Sequence, residues 1–137
     1  MTVHGDASGF AQRIVVGPHE LLSDEPVEAG GTATGPGPYD LLLAALGSCT
    51  SMTISLYARR KKWPLKNIVV ELSHSKLHAS DCENCVTKER FLDRIDTKIH
   101  LEGNLTAEQH CRLLEIASRC PVHRTLASEV IIRTEAF

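Results

Sequence analysis

Residues 35–53 read GPGPYDLLLAALGSCTSMT, and this stretch decides the fold. Glycine and proline crowd residues 29–38, so a loop must lie there. A helix then starts sharply. Pro38 suits its first position, where an N–H would be unsatisfied anyway, and Asp40 stands where the helix dipole favours an acid. Trp63-Pro64 is the next strong stop, so the helix is predicted from Tyr39 to about Lys61. Arg59 to Lys62 then fall in its last turn, where cations complement the dipole. Residues 41–49, LLLAALGSC, are apolar nearly all round, which predicts burial on most faces. In a chain of 137 residues, that much burial calls for a second subunit.

Upstream of the loop, Phe10 to Val16 and His19 to Leu22 read as two short strands joined at Gly17-Pro18. Downstream, residues 67–78 place Ile68, Val70 and Leu72 on one face, and residues 92–102 place Ile95, Ile99 and Leu101 likewise. These runs are expected to pair as a hairpin with a long tip at 79–91. A second helix opens at Thr106, whose partner Gln109 completes a capping-box pattern, and runs to about Arg119 with Leu113, Ile116 and Cys120 on one face. Pro121 resets the backbone for a short helical turn capped by Cys120, and Val130 to Thr134 read as a last strand. The order is strands, buried helix, hairpin, helix, strand. It predicts an α+β protein with one domain over residues 1–137.

Charge narrows the function classes. The formal charge is −2 with both signs mixed, so the attraction to phosphates that nucleic-acid binders need is missing. No apolar stretch is expected to reach the roughly 18–20 residues of a membrane span. The start MTVHGDASGF has neither a basic nor an apolar leader region, and a cytoplasmic protein off the membrane is expected. Five cysteines are an odd number, which argues for reduced thiols serving metal or redox chemistry over a disulfide framework.

Each cysteine has a plain and a chemical reading. Cys49, inside the apolar helix, is by itself a small hydrophobe, although Gly47 and Ser48 would leave space beside its sulfur. Cys120 precedes Pro121 at a helix start, where backbone N–H groups stabilise a thiolate. His123 and His19 are candidates to raise a thiolate fraction, against a structural role. The hairpin tip holds His74, His78, Cys82 and Cys85. Cys82-x2-Cys85 is a natural zinc knuckle with His78 as a further ligand, a redox pair, or two surface thiols. His74, four residues from His78 on a strand, lies about 13 Å along it and is too far to share an ion. Cys111, in the middle of the second helix, reads as packing.

The segments G35PGPYDLLLAALGSCTSMT53 and C120PVHRTL126, with the element order around them, resemble the OsmC/Ohr family over nearly the full chain. The 71 positions between Cys49 and Cys120 fit that family's cysteine pair. The resemblance implies an intertwined homodimer with buried helices at its centre, curved sheets outside them and sites at the subunit interface. It implies reduction of organic hydroperoxides by Cys49, with Cys120 resolving, an external dithiol as reductant and no required cofactor. Well-studied members carry a glutamate directly after the proline, where it orients an activating arginine. Here Tyr39 occupies that place, Asp40 follows it, and Arg13 or Arg124 are the candidate arginines. Weaker turnover, as a thiol sensor or a small-molecule-binding protein, is the alternative implied.

Overall fold

The helix begins and ends where local chemistry places its breaks. In the computed structural model, which describes residues 1–78 and 91–136 apart from the side chains at 78 and 91, α1 spans Pro38–Lys61. Gly37 N–H donates to Asp40 Oδ2 at 2.9 Å, so the acid caps the first turn. At the other end Lys62 takes φ 55. Its N–H reaches Arg59 O at 3.1 Å, and Trp63 N–H reaches Ala58 O at 3.0 Å. This two-bond closure usually places glycine at the left-handed position, and here a lysine holds it.

Two expectations about α1 need correcting. An 18-residue window of the helix has a mean hydropathy of 1.5, so by length and composition alone it is long enough to cross a membrane. Small Ser, Thr, Gly and Cys residues interrupt the leucines without lowering hydropathy much. The helix is also not buried on most faces within one chain. Leu46, Gly47, Thr50, Ile54 and Ala58 form one buried stripe, while Met52 is 69% and Leu56 43% exposed.

Contacts divide the chain into two compact units, Met1–Ala44 and Ala45–Phe137. In the first, β1 (Thr2–Gly5), β2 (Gln12–Val16) and β3 (His19–Ser23) form an antiparallel sheet in the order β1-β2-β3. β1 was not anticipated: four exposed residues, TVHG, carry no usable alternation. Asp6 Oδ1 accepts Ser8 N–H at 2.7 Å and turns the chain toward β2. Beyond β3, Asp24 organises the loop. Its Oδ2 accepts the N–H and hydroxyl of both Thr32 and Thr34 at 2.6 to 3.2 Å, and Oδ1 accepts Glu25 N–H at 2.8 Å. The Thr32 hydroxyl foremost, then the backbone donors, hold this carboxyl well below the usual aspartate range, against the opposing effect of burial.

In the second unit, β4 (Leu65–His78) and β5 (Phe91–Gly103) pair antiparallel. The register sets Ile68 opposite Leu101 and Val70 opposite Ile99, so the alternation predicted for both strands falls on one face. α2 (Ala107–Ala117) carries the capping box: Thr106 Oγ1 accepts Gln109 N–H at 3.2 Å, and Gln109 Oε1 accepts Thr106 N–H at 3.1 Å. The core joins Ile54 and Ala58 of α1, Leu101 of β5, and Leu113 and Ala117 of α2. Complete burial of Ile54 and Leu113 contributes about 2–3 kcal/mol each before entropy is counted.

Two further expectations fail here. Cys111 is exposed, because it lies on the opposite side of α2 from Leu113, Ile116 and Ala117. Residues 130–134 form no strand, and Ile131 and Ile132 are 79% and 84% exposed. A β-branched run favours a pleated ladder only when a neighbouring backbone supplies the hydrogen bonds.

Candidate thiol site

α1 presents Cys49 half-buried, on the flank between its buried stripe and its exposed face. With Ala45, Met52, Leu56, Pro121 and Val122, it lines an open, mostly apolar hollow of about 410 Å³. Gly47 does not provide the space beside the sulfur that the sequence suggested. A Cβ at position 47 would meet Leu72 Cδ1 at 2.7 Å, so the glycine's gap is filled by β4. The room near Cys49 comes from the uncovered face of the helix.

Cys120 takes up the predicted cap position. α3 (Pro121–Leu126) follows it, and Pro121 at the first helical position lacks an N–H, so the cap bond goes to His123. The His123 N–H donates to Cys120 Sγ at 3.2 Å. A second donor arrives from α1: the Thr50 hydroxyl, 3.6 Å from the same sulfur. Cys120 is wholly buried and Thr50 nearly so. Cys120 is thus held against the turn of α1 that carries Cys49, since Thr50 follows Cys49 and Pro121 and Val122 line the hollow of Cys49. Cys49, Cys111 and Cys120 are all free thiols.

Sequence reasoning did not single out Thr50. The signal was available: at i+4 from Leu46 and i−4 from Ile54, its hydroxyl lies on a buried stripe and must find a partner. His123 lines a smaller hollow of about 170 Å³ behind Thr50, together with Leu46, Ile99 and Leu114. Arg124 is exposed, and its backbone N–H donates to Cys120 O at 3.1 Å.

The other candidates belong to the first unit. Arg13 on β2 pairs with Glu20 on β3 at 3.1 Å, both about half exposed. His19 is exposed at the start of β3, and Tyr39 is 51% exposed in the first turn of α1. Asp40 is engaged as the cap described above. Cys82 and Cys85, with the side chain of His78, lie outside the described residues. His74 Nε2 is 2.8 Å from Asp93 Oδ1 across the hairpin. Among the described residues, no group of three His, Cys, Asp or Glu is placed to hold a metal ion.

A second polar cluster ties α1 to α2. The Arg112 Nε–H donates to Tyr57 Oη at 3.2 Å, and this bond, foremost, holds the phenol below the usual tyrosine range. Tyr57 also meets Trp63 edge to face, with ring centroids 5.6 Å apart.

Comparison with known proteins follows the same lines. A family model described as OsmC-like protein matches residues 31–135. No curated protein sequence matches the chain. Among solved structures, an OsmC-like protein from Mycoplasma pneumoniae aligns with a TM-score of 0.67 at 21% identity, over 85% of this chain and 79% of that one. An organic hydroperoxide resistance protein OsmC from Legionella pneumophila gives 0.65 at 20% identity, over 91% and 85% of the two chains. The organic hydroperoxide resistance protein OhrB of Bacillus subtilis gives 0.61 at 20%, over 90% and 86%. At these identities the structures show a shared α+β fold.

Proposed function

Because the chain belongs to the OsmC-like family, we propose that it serves oxidative-stress defence by reducing organic hydroperoxides through Cys49 and Cys120. One observation carries this reading: Thr50, the residue after Cys49, donates to the sulfur of Cys120. A thiol far away in sequence is therefore held against the helix turn that carries Cys49.

In the proposed cycle the Cys49 thiolate attacks the outer peroxide oxygen. An S–O bond forms, the O–O bond breaks, and the alcohol leaves once its oxygen takes a proton. Cys49 is then a sulfenic acid, two electrons more oxidised. The Cys120 sulfur attacks it, forming the S–S bond and releasing the hydroxyl as water. A dithiol returns both cysteines to thiols by exchange and leaves as its own disulfide. No cofactor enters these steps. The apolar walls of the hollow suit an alkyl tail, each buried CH₂ contributing about 0.8 kcal/mol, so organic peroxides are favoured over hydrogen peroxide.

Support for a homodimer comes from the uncovered face of α1, with Met52 and Leu56, and from the exposed Ile131 and Ile132. A partner subunit there would close the hollow. The free thiols suit a reducing, cytoplasmic setting. Zinc at Cys82, Cys85 and His78 remains a separate proposal, resting on the spacing alone.

A sensor or binding protein with slow turnover is the second reading. Tyr39 stands where family members carry glutamate, Asp40 is engaged with Gly37, and Arg13 is engaged with Glu20. Peroxide consumption with a dithiol present separates the readings. The peroxidase reading expects cumene hydroperoxide to be consumed faster than hydrogen peroxide, and the activity to vanish in Cys49→Ser. Unchanged activity in Cys49→Ser overturns it.

A further inference from the structure

The two sulfurs are not equivalent. Cys49 is half-buried on an open hollow, whereas Cys120 is 0% exposed. In a disulfide between them, an incoming thiolate finds its approach at Cys49, and the choice of sulfur attacked depends on access and on the leaving group.

The leaving side is equipped with donors. Two threonines of α1 use their hydroxyls differently. Thr53 follows the ordinary helical habit and donates to Cys49 O, four residues back, at 2.7 Å. Thr50 has the same option toward residue 46, yet its hydroxyl points across to Cys120 Sγ at 3.6 Å. At 3% exposure, little water competes for it. His123 N–H supplies the second donor from the backbone of α3 at 3.2 Å. Hydrogen bonds to a charged acceptor are about twice as strong as those between neutral groups, so both donors favour the moment at which Cys120 carries negative charge.

We propose that Thr50 is a positioning residue that makes Cys120 the leaving sulfur when the Cys49–Cys120 disulfide is reduced, directing the dithiol to Cys49. The inference rests on the thiol cycle proposed above and assigns its direction. One thiolate of the dithiol attacks Cys49 Sγ, an S–S bond forms to the reductant, and the bond to Cys120 breaks with its electron pair on Cys120. The second thiolate of the reductant then attacks the mixed disulfide, releasing Cys49 as thiolate and the reductant as a cyclic disulfide. Two electrons pass from dithiol to protein.

The test uses the full chain oxidised with diamide, so that peroxide turnover is not required. 2-Mercaptoethanol, kept limiting so that a second exchange does not follow, serves as a monothiol probe that leaves a mixed disulfide, free thiols are blocked with N-ethylmaleimide, and peptides are mapped by mass. The expected adduct is on Cys49, with Cys120 carrying the block. Thr50→Val keeps the shape and removes the donor, and it should slow this exchange about tenfold, the low end for a bond to a charged group. Thr50→Ser restores the hydroxyl and should return the rate to within about threefold of wild type, which a purely steric role would not require. An adduct on Cys120, or a wild-type rate in Thr50→Val, overturns the assignment. Because the wild-type map needs no variant, a misfolded Thr50→Val does not spare the proposal. A protein that exchanges as described but consumes no peroxide refutes the peroxidase reading alone. Failure of diamide to form the Cys49–Cys120 disulfide overturns both.

Discussion

Leu113→Ala probes the packing that delivers Cys120. Leu113 is completely buried among Ile54, Ala58, Leu101 and Ala117, and it anchors α2, the helix that leads the chain to Cys120. Truncation removes three carbons, about 2.4 kcal/mol of transfer free energy at about 0.8 each. A residual cavity of about 50 Å³ adds about 1.2 kcal/mol at about 24 cal/mol per Å³. The expected loss is about 3.5 kcal/mol, within the range known for buried leucines, and it lowers Tm by roughly 10–15 °C for a chain of this size. Urea unfolding at fixed protein concentration measures it as a fall in midpoint with unchanged slope. Leu114→Ala, next in sequence but 38% exposed, is the comparison and should lose about 1 kcal/mol or less. If Leu113→Ala loses no more than Leu114→Ala, the α1–β5–α2 core is wrongly described, and with it the support under Cys120.

The remaining predictions concern the loop, the helix end and the hairpin tip. Asp24 binds fewer protons folded than unfolded, because the Thr32 hydroxyl and the neighbouring N–H groups favour its charged form. Its stabilisation is therefore full above the ordinary aspartate pKa of about 3.9 and declines as pH falls below it. Asp24→Asn should flatten the acid limb of a stability-versus-pH curve, and parallel limbs in the two proteins would contradict the cage. Lys62→Gly relieves a left-handed conformation worth about 1–2 kcal/mol to a side-chain-bearing residue, offset by about 0.5–1 kcal/mol of glycine entropy. A net gain of about 0.5–1 kcal/mol is expected in thermal unfolding, and a loss would refute the closure. Zinc on Cys82, Cys85 and His78 predicts about one equivalent per chain by elemental analysis of protein purified without chelator or affinity metal. Less than about a tenth of an equivalent ends that proposal.

Local rules read much of this chain correctly. Pro38 and the Trp63-Pro64 pair bounded α1 to within a residue, and Thr106 with Gln109 opened α2, because caps and proline act over a single turn. Cys120 as a cap was legible for the same reason: Cys-Pro fixes the junction, and the structure adds the bond from His123. Tertiary choices were not legible. Cys111 lies opposite the stripe of Leu113 and Ile116, so its exposure was legible from helical spacing, whereas the full burial of Cys120 needed the packing of α1 beside it. Gly47 gave no hint of Leu72, which comes from a strand 25 positions on. The run at 130–134 has strand composition, but a ladder needs a second backbone, and the described residues of one chain supply none to it. The site divided likewise. Both cysteines were found from their motifs, and the stripe marked Thr50 as a buried hydroxyl, but its partner required knowing that the start of α3 packs against α1.

The central claim is that Cys49 and Cys120 act as one redox pair. One equivalent of tert-butyl hydroperoxide added to the fully reduced protein, followed by alkylation and peptide mass mapping, tests it most directly. The account predicts a Cys49–Cys120 disulfide with Cys111 alkylated as a free thiol. Cys49 and Cys120 both recovered as free thiols, with the peroxide unconsumed, would contradict it.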